Sequence, residues 1–153
     1  MPDLIEYLRS LNERSLLIGV GNTLRGDDGF GPELVARLAG TGRCRLVDGG
    51  ETPEDHLESI VAQSPDAVLI ADAVAFGGRP GDAALLEPPQ LGKRIAISTH
   101  TMPLAIFIQY LQEQLPGVKI TILGVQPRQI EFGKKISPEV AATIERLADI
   151  LKR

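Results

Sequence analysis

Short apolar runs that alternate with amphipathic helical patterns are the feature that most constrains this fold. Each run has about four to eight residues, the length of a strand buried in a sheet. Parallel strands need a long crossover, which is usually a helix. The alternation therefore predicts an α/β protein with a mostly parallel sheet covered on both faces. The predicted strands begin at Leu16, Cys44, Asp66, Ile95 and Val118.

One segment interrupts this alternation. Between Gly77 and Gly92 the stretch "DAALLE" is bracketed by turn residues and leaves little room for a helix, so we predict a short strand, in antiparallel orientation. The length of 153 residues, 43% of them hydrophobic, is typical of one domain with a sizeable core. We expect a single domain over residues 1–153.

Five helices are predicted from apolar spacing and end signals. The first carries Leu4, Ile5, Leu8 and Leu11, and the clearest carries Leu104, Phe107, Ile108, Leu111 and Leu115. The last begins at the cap Ser137 with Pro138 as its first residue. The remaining two begin after Asp28 and at Thr52, where Asp55 completes a capping-box variant.

Composition excludes some classes of protein. A net charge of −4 and 4% aromatic residues leave no basic or stacking surface for nucleic acid. The first 14 residues mix charges with leucines, so they predict neither a signal peptide nor a membrane-inserted segment. Cys44 is the only cysteine, so we expect no internal disulfide and interpret it as a small buried residue. The predicted location is the cytoplasm.

A glycine-rich turn follows the first strand in "LLIGVGNTLRGDDGFG". Gly19 and Gly21 match two glycines of a dinucleotide fingerprint, and Asp48 imitates its ribose-binding acid. However, Leu24 occupies the position of the third glycine, and the adjacent carboxylates of the "DD" pair would repel a pyrophosphate. We therefore interpret the glycines as a tight turn that brings Asp28 to the edge of the sheet.

Polar residues follow several predicted strands at their carboxyl ends, where ligands bind in open parallel sheets. Asp28, Asp48, Asp72 and His100 should share this edge. Each also has a structural explanation: Asp27 and Asp28 favour a helix N-terminus, Asp72 suits a turn, and His100 suits a hydrogen-bonded loop. His56, among charges in a helical segment, is expected at the surface.

The combination favours a metal site, because two carboxylates and an imidazole at one edge are compatible when a cation lies among them. Oxygen and nitrogen ligands without a thiolate suit a divalent transition metal, and three protein ligands leave positions open. We predict Asp28, Asp72 and His100 as the ligands. The place of His100 just before a helix favours its neutral, ligating form.

The motifs "GVGNTLRGDDGFGP", "DGG", "ADAVAFG" and "STHTMPL" together resemble the hydrogenase maturation proteases, which process the large subunit of nickel-iron hydrogenases. "STHTMPL" and "LGVQPRQIEFGKKISPEV" are most similar to the formate hydrogenlyase-type branch. The resemblance implies a three-layer α/β/α sandwich around a mainly parallel five-stranded sheet. It also implies that the metal-binding positions are Asp28, Asp72 and His100. Some relatives carry Glu at the first of these positions.

The same resemblance implies the substrate and the reaction. The substrate would be a [NiFe]-hydrogenase large-subunit precursor that already carries nickel, and the reaction would remove its C-terminal extension after the last metal-binding cysteine motif. Because affinity alone does not select nickel, the metal would arrive with the substrate. Water would attack the peptide, activated by the metal or by Asp28 or Asp72 as general base.

Two other functions remain open from the sequence. A nickel-binding chaperone would use the same ligands without hydrolysis, and a nucleotide-binding domain would use Gly19, Gly21 and Asp48. Asp48 with the two glycines after it would otherwise shape a peptide cleft or form an ordinary turn. The basic stretch "FGKKIS" suits either contact with the precursor or exposure to solvent.

Overall fold

A computed structural model describes residues 3–91, 95–96 and 103–152. Its helices are α1 (Leu4–Ser10), α2 (Phe30–Leu38), α3 (Leu57–Gln63), α4 (Pro88–Leu91), α5 (Leu104–Gln114) and α6 (Pro138–Leu151). Short 3-10 helices at Gly26–Gly29 and Pro53–His56 precede α2 and α3. Its strands are β1 (Ser15–Val20), β2 (Arg45–Gly50), β3 (Ala67–Ala75), β4 (Ala83–Leu86), β5 (Ile95–Ala96) and β6 (Lys119–Val125).

Five strands lie side by side in the order β2-β1-β3-β6-β4. β2, β1, β3 and β6 run parallel, and β4 pairs antiparallel with β6, from Ala83 opposite Val125 to Leu86 opposite Ile122. The predicted short antiparallel strand is therefore confirmed. With four parallel strands and one antiparallel strand in this order, the predicted mainly parallel sheet is also confirmed.

Alternate strand residues face opposite helical layers. In β1, Leu17 packs with α1, α2 and α6, whereas Leu16 and Ile18 pack with α3 and α5. Successive side chains of a strand point to opposite faces, so a strand buried on both faces reads as a continuous apolar run. The three-layer α/β/α sandwich is confirmed.

The run at Ile95 differs in direction from the parallel strands with which the sequence analysis grouped it. Its described part, Ile95–Ala96, pairs antiparallel with Ala75 and Val74 of β3. The physical reason is that β3 continues past Ala73, the last residue that it pairs with β6, and leaves backbone groups for another partner. Antiparallel pairing satisfies them there.

The ends of the helices agree with most of the predicted signals. Ser137 caps α6, where its hydroxyl oxygen accepts a hydrogen bond from Val140 N at 3.4 Å. The predicted capping box at Thr52 is wrong: its side chain makes no capping hydrogen bond, because the chain enters a 3-10 helix there before α3 begins. Within the described ranges, no helix combines the length and the apolar character needed to cross a bilayer.

Candidate active site

The glycine turn after β1 packs against the residues that follow it. Gly21 has φ +142°, and a Cβ there would lie 1.9 Å from the carbonyl oxygen of Asp28. A Cβ on Gly19 would lie 2.4 Å from the carbonyl oxygen of Gly31. Atoms of the chain itself therefore fill the space beside these glycines, where a residue with a Cβ would clash. The interpretation of the glycines as a tight turn is confirmed.

The start of α2 lies directly on the carboxyl end of the sheet. A Cβ on Gly31 would lie 2.3 Å from the carbonyl oxygen of Ala71 and 2.5 Å from the backbone nitrogen of Val20. Gly31 comes about one helical turn after Asp28, and Ala71 immediately precedes Asp72. The 3-10 helix Gly26–Gly29 also contacts β3. This close approach brings the backbones that carry Asp28 and Asp72 to one corner of the sheet.

Asp28 is fully buried, with 0% of its surface exposed. Its Oδ2 accepts a hydrogen bond from Asn22 N at 3.0 Å, but its Oδ1 is buried and has no hydrogen-bond partner in the described part of the chain. Burial raises the pKa of this carboxyl to about 6, against the lowering effects of the Asn22 N–H and the nearby Arg25 guanidinium, and the Glu51 carboxylate adds to the rise. A buried carboxylate oxygen of this kind fits a cation.

Asp72 is also fully buried and lies near the end of β3, opposite Gly124 of β6. It follows the alternation of Ile70 and Val74, which pack in the layer of α3 and α5. The backbone therefore directs Asp72 to the α5 side of the sheet, while the 3-10 helix brings Asp28 over the end of the neighbouring β1.

His100, the third predicted ligand, lies outside the described residues, between β5 and α5. Among residues 3–91, 95–96 and 103–152, no group of three His, Cys, Asp or Glu side chains forms a metal site. The described part of the chain contains two of the three predicted ligands, Asp28 and Asp72. The three-ligand site stays a prediction.

The other predicted polar residues lie in different surroundings. Asp48 is exposed on β2 and pairs with Gly19 of β1, so it is level with the site but open to solvent. His56 is half-buried at the end of the 3-10 helix Pro53–His56, rather than fully at the surface. Cys44 is buried, as expected, at the amino end of β2, opposite the edge that carries the site. Burial raises its pKa, which disfavours the thiolate.

Asp27 has a structural role that the sequence did not reveal. Its Oδ2 accepts hydrogen bonds from Arg128 N at 2.8 Å and from the Ser137 hydroxyl at 2.8 Å, and its Oδ1 accepts one from Ser137 N at 2.7 Å. Its own N–H donates to the carbonyl oxygen of Gln129 at 2.9 Å. Asp27 thus fastens the loop between β6 and α6 to the turn that carries Asp28. Of the two adjacent aspartates, Asp27 therefore holds the loops together, and Asp28 has a buried oxygen without a hydrogen-bond partner among the described residues.

Comparison with known proteins places this chain in a family. Residues 31–153 match the family model described as hydrogenase maturation protease. The hydrogenase 3 maturation protease of Escherichia coli is 32% identical over 132 residues, which cover 85% of this chain and 83% of that protein.

Solved structures agree. The crystal structure of the [NiFe] hydrogenase maturation protease HycI from Thermococcus kodakarensis has a TM-score of 0.81 and 35% identity, and the match covers 99% of this chain and 100% of that one. The maturating endopeptidase HybD from E. coli has a TM-score of 0.73 and 28% identity, with coverage of 89% and 88%. These matches show that the protein is a peptidase. The chain belongs to the hydrogenase maturation protease family.

Proposed function

We propose that this protein removes the C-terminal extension of a [NiFe]-hydrogenase large-subunit precursor and recognises the precursor through the nickel that it carries. Membership in the family supports proteolysis in hydrogenase maturation. The observation that carries the nickel proposal is the buried Asp28 carboxylate, whose Oδ1 has no hydrogen-bond partner among the described residues. A buried carboxylate oxygen without a partner is costly, and an arriving cation would reduce that cost.

Nickel enters this proposal as part of the substrate. Asp28 and Asp72 would supply oxygen ligands and His100 a nitrogen ligand, while thiolates of the precursor would hold the ion from the other side. Three oxygen and nitrogen donors do not select nickel over copper or zinc by affinity. Selectivity would therefore come from the precursor, and binding would align the scissile peptide only after the metal has been loaded.

Water is the attacking group in this proposal. The only cysteine, Cys44, is buried at the opposite end of the sheet. The Ser137 hydroxyl donates a hydrogen bond to Asp27 and caps α6, so it is not available as a nucleophile. We propose an aspartyl-type reaction, in which Asp28 or Asp72 accepts a proton from the water as its oxygen bonds to the scissile carbonyl carbon, and returns that proton to the leaving amine when the C–N bond breaks. The nickel held by the precursor would polarise the water or the carbonyl. We further propose the cytoplasm as its location, because a lone buried thiol suits a reducing compartment.

Cleavage of matched precursors tests this function. The purified protein is incubated with nickel-loaded and with nickel-free precursor, and the mass of the large subunit is measured. The proposal predicts a shortened subunit in the loaded sample alone. Equal cleavage of both precursors would contradict the proposal that nickel is needed for recognition. Full-length precursor in both samples, with nickel bound to the protein, would favour the chaperone instead.

A further inference from the structure

The two most exposed large apolar side chains in the described part of the chain lie on neighbouring loops beside Asp28. Phe132 is 72% exposed and Leu24 is 60% exposed, whereas Ile5, Ile106 and Tyr110 reach at most 43%. Leu24 is in the loop between β1 and α2, and Phe132 is in the loop between β6 and α6. Exposed apolar groups that are clustered in this way are typical of interaction sites.

Backbone hydrogen bonds hold the two loops together. Gly133 N donates to the carbonyl oxygen of Leu24 at 2.8 Å, and Gly26 N donates to that of Lys134 at 3.1 Å. The Asp27 carboxylate ties the same loops further along. Leu24 and Phe132 are therefore fixed relative to each other and to Asp28. A surface that is ordered before binding loses less conformational entropy when a partner binds.

Positive charge lies next to these apolar side chains. Lys134 and Lys135 are exposed, and neither forms an ion pair with any residue that the structure describes. Arg128 at the base of this loop pairs with Glu139, and the one acid within the loop is Glu131. The protein as a whole has a net charge of −4, so the excess of positive charge in this loop contrasts with the rest of the chain. It complements a partner that carries carboxylates.

A groove continues from this region. A cavity of about 520 Å³ lies between α2 and α6, and Thr23, Gly29 and Lys135 line it at the end nearest Asp28. Ile136 and Ile144 give it apolar surface. A chain that leaves the Asp28 corner over Leu24 has a concave path available to it.

We infer that Leu24, Phe132, Lys134 and Lys135 form an apolar-basic patch that docks an extended segment of the precursor next to the scissile bond, one with a large apolar side chain and a nearby carboxylate. This inference rests on the proposed function and deepens it. Nickel positions the reacting peptide at Asp28, and the patch binds the polypeptide beside it. Recognition thus has two parts, of which the patch contributes affinity and the metal contributes alignment.

Removal of the apolar groups tests the patch. Leu24→Ser, Phe132→Ser and the double variant are compared with wild type on nickel-loaded precursor, with Ile5→Ser as the matched control. Ile5 is exposed on α1, which leads into the opposite end of β1. We expect the double variant to raise KM by about 10-fold to 100-fold with kcat within about 2-fold of wild type, as for loss of binding anchors. Ile5→Ser should leave both constants unchanged.

The charged part of the patch has its own test. In wild type, KM should rise with salt concentration, because exposed charges are screened. Lys134→Glu combined with Lys135→Glu should raise KM at low salt and abolish this dependence. The same salt dependence in wild type and variant would contradict the charge complementarity. Unfolding temperatures of all variants, measured in parallel, should match wild type because the substituted side chains are exposed.

Failure of this inference is distinct from failure of the proposed function. If wild type does not cleave loaded precursor, the proposed function falls and the patch with it. If wild type cleaves and the Leu24/Phe132 double variant cleaves with unchanged KM, the patch alone is overturned. If that double variant instead changes a dimer into a monomer at unchanged KM, the patch binds a second copy of the chain and the inference is wrong.

Discussion

Asp27 and Ser137, 110 residues apart in the chain, are joined by two short hydrogen bonds to the two oxygens of one buried carboxylate. Ser137 N donates to Oδ1 at 2.7 Å, and the Ser137 hydroxyl donates to Oδ2 at 2.8 Å. Ser137 is also the cap of α6. The start of α6 and the turn that carries Asp28 are therefore one connected structure.

Asp27→Asn should destabilise the protein. The amide replaces one acceptor oxygen with a donor, so backbone N–H groups of the loop face a donor instead of a charged acceptor. We expect a loss of about 2–4 kcal/mol in the free energy of unfolding, measured by urea denaturation at neutral pH. Asp48→Asn, the same change at an exposed position, should stay within about 0.5 kcal/mol of wild type. Equal effects of the two substitutions would contradict the role of Asp27.

Gly31→Ala should destabilise the protein, because the loss of packing at this position exceeds the gain in helix propensity. Gly31 is a residue of α2, where alanine would normally add about 1 kcal/mol of stability. A Cβ would lie 2.3 Å from the carbonyl oxygen of Ala71, so we expect a loss of about 2–3 kcal/mol instead. Thermal unfolding measures the change. Gly42→Ala, whose Cβ would meet no atom closer than 3.6 Å, is the control and should be nearly neutral. A higher unfolding temperature for Gly31→Ala than for wild type would contradict the close contact between α2 and the sheet.

Stability without metal should depend on the ionisation of Asp28. Burial raises its pKa to about 6 in the folded protein, above its ordinary value of 3.8, so the folded state holds a proton that the unfolded chain releases. This contribution is fully present below pH 3.8 and is lost as pH rises through about 6. Asp28→Asn removes the cost of the buried charge. It should therefore be more stable than wild type by about 1–2 kcal/mol at pH 8 and by little at pH 4.

Urea denaturation in the presence of a chelator measures this difference at both pH values. A stability gap between wild type and Asp28→Asn that is the same at pH 4 and pH 8 would contradict the account. The variant should also fail to process loaded precursor at either pH, because the amide is a weak substitute for a carboxylate ligand.

Substitution of the predicted ligands should stop processing and spare the fold. Asp28→Ala, Asp72→Ala and His100→Ala are each expected to give a folded protein without measurable cleavage of loaded precursor. His56→Ala is the histidine control and should retain nearly full activity. Normal processing by His100→Ala would show that the imidazole is not needed, and the mechanism would then depend on the carboxylates of Asp28 and Asp72.

Local patterns in the sequence were sufficient to predict several elements. β1 and α5 follow from apolar spacing, and the start of α6 follows from Ser137 and Pro138. Asp28 could be predicted at the sheet edge because the glycines before it allow a turn that residues with a Cβ would obstruct. These signals lie within a few residues of the feature that they predict.

Other features depend on contacts between distant segments. The role of Asp27 depends on a loop about 100 residues further along, which no local pattern reveals. The pairing of β5 depends on the backbone of β3 beyond Ala73, the last residue that it pairs with β6. The hydrogen bond that joins the loop of Leu24 to the loop of Phe132 is likewise a contact between distant segments. A local pattern of residues predicts a helix or a strand, but the contacts between these elements depend on how the whole sheet assembles.

Nickel K-edge absorption of the precursor tests the central claim most directly. Spectra are recorded for a loaded precursor with a hydrolysis-resistant scissile bond, alone and in complex with the protein. Our account predicts additional oxygen and nitrogen ligands at the nickel in the complex, with imidazole scattering that disappears in the His100→Ala complex. A nickel spectrum that is unchanged when the wild-type complex forms would contradict it.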